Sequence, residues 1–364
     1  MTKEQILLTT EYMAGLLLSL QGGRDPQPLP AGITLADIYA LSRKHALAAA
    51  TYSALSPILS DADISDSLCS SWMKELELAT VQHLRQSAAY SEITSALTEE
   101  KIPFLTVKGF LLKELWSHPE LRVMSDIDVV VSPESFEHAE HILLSLGYAS
   151  ARTDALHSSY IKSRSVNVEL HRALYDGAPE TFTDWTPRAE NLYWHEMPAE
   201  DFILFFLRHA YKHYESGGCG VRTLFDLYLL FEKYGRPADN VALTEKLHKA
   251  NLMDFCNIMT DLVDRLFCGA VNTSSDDALL YIATGGTYGS FDNKVGYSIN
   301  KKGSRTRYIL SRIFPSYKAM TERYLWVARC PLLLPIAYLV RFTIAIFDGS
   351  AHREMQSINK TKAK

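Results

Sequence analysis

Apolar residues recur at three-to-four spacing over residues 6–20, 35–55 and 67–99, the period of helices buried along one face. Residues 1–100 therefore read as helical, interrupted by a Pro- and Gly-containing loop over Gly22–Gly32. The pattern then changes. Phe104–Val107 is a short apolar run that predicts a strand, leading through Lys108-Gly109 into a brief helical pattern, Phe110–Trp116. Ile127–Val131 predicts a second strand. Ser132-Pro133 opens a helix, with Ser132 as N-cap, Pro133 at the first helical position and Glu134 in the first turn. Its apolar residues are Phe136, Ala139, Ile142, Leu143 and Leu146, and Gly147 ends it. Val166, Val168 and Leu170 alternate with Asn167, Glu169 and His171, which predicts a half-buried strand. Ser159–Lys162 is its expected hairpin partner, turning through Ser163–Ser165, and Ala199–Leu207 opens a further helical region.

The acidic strand carries the chemistry. Alternate side chains of a strand share a face, so Asp126 and Asp128 project together while Ile127, Val129 and Val131 pack behind them. Two ionised carboxylates at a core edge cost several kcal/mol unless a cation offsets them. A hard ion such as Mg²⁺ is bound through one or two carboxylates plus substrate phosphates. An Asp-x-Asp pair also serves at the polar face of an ordinary edge strand. If the strand of Glu169 lies beside it, a three-carboxylate cluster results, able to hold two metal ions roughly 3.5–4 Å apart. Otherwise Glu169 is a solvated residue on a half-exposed hairpin.

Gly109, the Asp126-Ile127-Asp128 strand and the acid of VNVELH resemble the nucleotidyltransferase superfamily that includes DNA polymerase beta and the kanamycin nucleotidyltransferases. Lys108-Gly109 with its following helix, R-x-x-S-D-I-D over Arg122–Asp128, and V-E-L-H over Val168–His171 are similar to a bacterial family called uncharacterised nucleotidyltransferases. The resemblance implies an enzyme that moves a nucleoside monophosphate from an NTP donor, ATP among them, to an acceptor, releasing pyrophosphate. It also implies that Asp126, Asp128 and Glu169 are catalytic and bind two Mg²⁺ ions. Gly109 would approach the triphosphate, Lys108 and Arg122 would neutralise it, and Ser125 and His171 fall in the same nucleotide-binding motifs. The superfamily usually follows its glycine with Ser or Gly. Phe110 stands here, so a hydroxyl contact is missing at that position.

In RHAYKHYESGGCGVRTLFDLYLL, His209 and His213 lie four apart on one helix face, as do Arg222 and Asp226 after the glycine break at Gly217–Gly220. Without an adjacent Glu or a third ligand the histidines do not predict zinc. The resemblance implies that H-x-x-x-H and R-x-x-x-D line the nucleotide or acceptor pocket, His209 and Asp226 foremost, with His213 and Arg222 left undecided; the alternative is helix pairing, with Asp226 bridged to Arg222 and both histidines partly exposed. Gly285–Gly289 (GGTYG) lacks the Lys-Ser/Thr of a phosphate loop and reads as a turn.

The chain of 364 residues is 47% hydrophobic and 22% charged, enough for a substantial core and two to three domains. Its net charge of −5 disfavours a general nucleic-acid binder. Five cysteines without paired spacing read as buried thiols in a reducing compartment, and no signal-peptide pattern opens the chain, so the expected location is cytoplasmic. Between Lys294 and Arg329 nine basic residues face only Glu322, and the uncharged apolar run Cys330–Val340 follows. Two readings stay open there. One is an interfacial segment contacting the inner membrane face peripherally; the other is a surface helix leading to a terminal helix, Tyr338–Phe347, packed on the body, with Asn359–Lys364 frayed.

The expectation is an α+β protein in which a small mixed sheet lies between helical regions. Its divisions are residues 1–100 (helical), 101–175 (nucleotidyltransferase core), 176–293 (helical domain) and 294–364 (basic and apolar helical segment). The alternative function is an inactive nucleotide- or partner-binding module, recruited to the membrane surface by that last segment.

Overall fold

A computed structural model describes residues 1–59, 64–154, 156–163, 166–175, 185–270, 275–347 and 350–360. The chain opens with α1 (Lys3–Gly22), whose Thr2 and Gln5 form a capping box. α2 (Leu35–Lys44) and α3 (Ala48–Leu55) split the periodic stretch 35–55 in two, because Ala46 takes a positive φ of 53° between them. The 34-residue α4 (Asp66–Glu99) follows. Then come β1 (Phe104–Val107), α5 (Gly109–Lys113), β2 (Ile127–Val131), α6 (Phe136–Ser145), β3 (Ala149–Thr153), β4 (His157–Ser163) and β5 (Val166–His171). Ser132 caps a short 3-10 turn ahead of α6. Residues 164 and 165, in the expected hairpin turn, lie outside the described residues.

β6 (Pro187–Arg188) and β7 (Asn191–His195) complete a seven-stranded mixed sheet in the order β3-β4-β5-β2-β1-β7-β6. β2 pairs antiparallel with β1 and parallel with β5. One sheet face is apolar: Phe104, Ile127, Val129, Val131, Val168 and Leu170 share a core with α4 and α6. On the other face Leu105, Val107 and Val130 meet Phe205 of α7 (Ala199–Glu215). The architecture is the expected α+β arrangement, a mixed sheet flanked by helices.

α8 (Val221–Tyr234), α9 (Val241–Lys249), α10 (Met253–Phe267) and α11 (Asp276–Gly285) bury their apolar faces in the same core as α1–α3 and the first half of α4. Within it the Trp72 indole of α4 donates to the Ala48 carbonyl at 2.8 Å. The second half of α4, through Ala89, Ile93 and Leu97, belongs to the core beneath the sheet. This one helix therefore joins the two cores.

The Gly217–Gly220 loop lies directly against the turn after α11. Ser290 N–H donates to the Gly217 carbonyl at 3.1 Å, and Thr287 N–H to the Lys44 carbonyl at 3.0 Å. A Cβ on Gly217 would stand 2.3 Å from the Ser290 carbonyl oxygen, and one on Gly285 2.4 Å from that of Gly217, so neither position admits a side chain.

α12 (Phe291–Lys302), α13 (Arg305–Ile313), α14 (Tyr317–Arg323), α15 (Leu325–Arg329), α16 (Leu334–Phe347) and α17 (Ser350–Lys360) finish the described chain. They bury two small clusters, one around Val295, Ile299, Tyr308 and Ile358, the other around Met320, Val327 and Ala337. The expectation that Tyr338–Phe347 packs on the body is not met: Leu339, Phe342 and Phe347 are exposed, and α16 rests on α14 and α17. Asn359 and Lys360 are helical, and residues 361–364 lie outside the described residues. Cys219 and Cys256 are buried as expected, whereas Cys268 is exposed.

Candidate active site

The parallel pairing of β2 with β5 sets Asp128 directly across from Glu169, and the antiparallel pairing with β1 sets it across from Val107. The strand period then turns Asp128, Glu169 and His171 away from the apolar face and toward the α7 side. Lys108, at the end of β1, adopts φ 54° and ψ −112°, a backbone region that costs a residue with a Cβ about 1–2 kcal/mol. That turn reverses the chain between β1 and α5. Lys108 Nζ donates to Asp128 Oδ1 at 2.7 Å, and His171 Nε2 lies 2.9 Å from the same oxygen. His171 Nε2 is also 3.4 Å from Glu169 Oε2, and its ring stacks on His157 at 5.0 Å.

Burial would raise the Asp128 carboxyl, but the Lys108 ammonium and the His171 imidazole outweigh it and hold Asp128 far below the usual carboxylate range. The same contacts raise Lys108 and His171 against the opposing effect of burial. Asp126, one position before β2, accepts from the Ser125 hydroxyl at 3.0 Å and from no other side chain among the described residues; burial, then the charge of Asp128, pushes it up to about 6. Three acids thus meet two basic side chains, and one acid remains poorly compensated.

A divalent cation fits this arrangement. Asp128 Oδ2 is buried with no hydrogen-bond partner among the described residues. Asp128, Glu169 and His171 each offer a ligand atom within 4.8 Å of the others, and carboxylate oxygens suit a hard ion.

Gly109 begins α5 with no room above it: a Cβ there would stand 2.8 Å from Met124 Sδ. Its carbonyl accepts from Arg122 Nη1 at 3.3 Å. Arg122 is buried, and its fork is taken by Asp226 of α8, with Nε and Nη2 each 2.8 Å from a carboxylate oxygen. The Trp116 indole donates to the same Asp226 at 2.9 Å. Asp226 therefore pairs with Arg122 and not with Arg222. Arg222 donates instead to the Val123 carbonyl, and its Nε has no partner among the described residues. Phe110 turns away from the acids and stacks on Tyr90 at 4.1 Å.

His209 and His213 project from α7 with their Nε2 atoms 3.0 Å apart. Burial, then the nearby Lys108 charge, drives His209 down to about 3, so it is neutral. One cationic residue, Lys113, escaped the sequence reading, and a second, Arg222, was left undecided by it. Lys113 is buried in α5, 3.2 Å from His83 Nδ1, and burial followed by the Arg122 charge lowers it to about 8. Arg222, whose place in the pocket or in a helix pair the sequence left open, is lowered to about 10 by burial and then by Arg122. A lysine on a short helix ordinarily reads as solvated, so nothing in the local pattern marks Lys113.

A family model described as uncharacterised nucleotidyltransferase matches residues 32–268. The chain belongs to that family. The match takes in every residue of the site, from Lys108 to Asp226, and makes the protein a transferase of nucleotidyl groups. No curated protein matches the chain. Two solved structures are similar to it. One is a solution structure of the antibiotic-resistance factor ANT(2'')-Ia, at 15% identity over 49% of this chain and 97% of that one, with a TM-score of 0.37. The other is a crystal structure of ANT(2'')-Ia in complex with adenylyl-2''-tobramycin, at 15% identity over 46% of this chain and 99% of that one, with the same TM-score of 0.37. Among the described residues of the nucleotidyltransferase, no helix is long and apolar enough to cross a membrane.

Proposed function

We propose that this nucleotidyltransferase moves a nucleoside monophosphate from an NTP to an acceptor hydroxyl or phosphate, with Mg²⁺ as cofactor and pyrophosphate as leaving group. The observation that carries the reading is the buried Asp128, whose Oδ1 is held by Lys108 and His171 while its Oδ2 has no partner among the described residues. Asp126, Asp128 and Glu169 would hold the metal, with His171 at its margin; bound there, it would lower the pKa of an attacking hydroxyl and stabilise charge on the leaving oxygen.

The residues divide the remaining work. Glu169, at the half-open rim of the cluster, takes the proton of the acceptor hydroxyl as that oxygen bonds to the α-phosphorus and the bond to pyrophosphate breaks. Lys108 carries a positive charge to the triphosphate. Arg122 acts at one remove: its fork is satisfied by Asp226, so it fixes the Gly109 carbonyl and with it the turn the phosphates approach. Arg222, with a spare Nε, is the better candidate for direct phosphate contact. The neutral His209 offers a hydrogen bond without charge to base or acceptor. Phe110 supports the absence of a hydroxyl contact at its position, since its ring is committed to Tyr90.

The test is calorimetric titration of the four NTPs, with and without Mg²⁺, into wild type and the Asp126→Ala/Asp128→Ala variant. Metal-dependent binding lost in the variant is expected. Equal binding by both would overturn the assignment, as would transfer activity retained by Asp128→Asn.

A further inference from the structure

The outer face of α16 has the reverse of the usual polarity of a surface helix. Its inner side carries Ala337, fully buried, Tyr338, whose hydroxyl donates to the Pro315 carbonyl at 2.8 Å, and Arg341, which donates to the Arg312 carbonyl. Its outer side carries Ile336, Leu339, Val340 and Phe347 at helical spacing, and Leu339 and Phe347 are 68% and 86% exposed. Leu332, in the turn before it, is 88% exposed and Leu325 of α15 is 72% exposed. Residues 330–347 contain a single charged side chain, the inward-turned Arg341. A contiguous apolar face of this kind on a water-facing helix marks a contact surface.

Charge tells what the contact is. Residues 294–347 contain ten Lys and Arg and one acid, Glu322, in a chain whose net charge is −5. Lys318 and Arg323 of α14 and Arg329 of α15 are exposed, and Trp326 of α15, 36% exposed, has its ring 5.8 Å from that of Tyr324. A second copy of the chain would bring an equally cationic surface against this one, and like charges oppose that pairing. An anionic partner is favoured instead. An apolar stripe whose polar member, Thr343, turns its hydroxyl back to the Leu339 carbonyl at 2.6 Å, accompanied by a part-exposed Trp326 and by exposed basic residues, is complementary to the headgroup and upper acyl region of an anionic leaflet. At 14 residues α16 cannot span a bilayer, which takes about 20.

We propose that the outer face of α15 and α16 docks this nucleotidyltransferase peripherally on an anionic lipid surface, with Leu325, Leu332, Leu339 and Phe347 inserted and Lys318, Arg323 and Arg329 at the headgroups.

The experiment is flotation of the full chain with vesicles of phosphatidylcholine alone and of an equal mixture of phosphatidylcholine and phosphatidylglycerol, at low and high salt. Binding is expected to the mixed vesicles only, and to weaken with salt. Leu332→Glu/Leu339→Glu should reduce it by more than about tenfold, as should Lys318→Glu/Arg329→Glu, which leaves the apolar face untouched. Thermal melting of both variants reports whether they fold, and NTP binding should be unchanged because neither pair lies in the site. Failure of the wild type to float with anionic vesicles overturns the proposal. So does undiminished flotation of either folded variant, or a concentration-dependent dimer by sedimentation that Leu332→Glu/Leu339→Glu abolishes.

Discussion

Arg122 and Asp226, separated by 104 positions in the chain, meet as a buried bidentate ion pair between the segment before β2 and helix α8. Removing one member of such a pair leaves the other charged and unsolvated. Asp226→Ala should therefore destabilise the fold by about 3–5 kcal/mol in urea unfolding, since Arg122 and the Trp116 indole both lose their acceptor. The double replacement Arg122→Met/Asp226→Leu should recover much of that loss. If the double variant is no more stable than Asp226→Ala, the pair is not an isolated unit and the account fails.

Lys108 separates backbone strain from charge. Lys108→Ala and Lys108→Gly both remove the ammonium from Asp128, but only glycine accepts φ 54° and ψ −112° without a Cβ penalty. The glycine variant should be the more stable of the two by about 1 kcal/mol, the reverse of the ordinary order. Both should lose NTP affinity. Alanine equal to or better than glycine in thermal melts would refute the strained turn.

Asp126 gives the site a pH signature. Its folded pKa of about 6 lies above the ordinary 3.8, so folding favours its protonated form. That contribution is complete below pH 3.8 and is lost as pH rises through about 6. The Asp126→Asn variant should gain stability over wild type across this window by on the order of 3 kcal/mol. Mg²⁺ added to wild type should shrink the difference. A gap between the two proteins that does not change with pH would count against the buried carboxyl.

His209 should stay neutral throughout the physiological range, because burial and Lys108 hold it down to about 3. In an NMR titration its ring resonances should not move between about pH 5 and pH 8, the range where an ordinary histidine titrates. His171, raised by Asp128 and Glu169, should lose its proton later than an unperturbed imidazole. A His209 midpoint near neutrality would mean that the ring faces open solvent.

That Asp128 and Glu169 share a sheet face was legible because a strand has a period of two: Asp128 stands between Ile127 and Val129, and Glu169 between Val168 and Leu170, whereas Asp126 lies one position before β2. The order of strands supplied the rest, bringing Glu169 across from Asp128. Arg122 was harder. Its place in the motif reads as a basic residue suited to phosphate, yet its partner, Asp226, lies on a distant helix, and local spacing pairs that acid with Arg222 instead. β3 left little signal, since all five of its residues are exposed at the sheet edge and show no apolar alternation. The break between α2 and α3 falls at Ala46, without the glycine or proline that normally announces one.

The contact between the Gly217–Gly220 loop and the turn around Gly285–Ser290 ties the helical core to residues beyond the family match. The family match ends at residue 268, but the backbone against which Gly217 closes lies beyond it, as do Leu279 and Ile282 of the helical core. A fragment cut at the family boundary would open that seam next to Val221 and Arg222, at the start of the helix that anchors Arg122. The helix that carries Asp226 is thus packed in part against residues that the family pattern does not include. A chimera exchanging C-terminal segments between relatives would need its junction after residue 290, where the two backbones have already closed on each other.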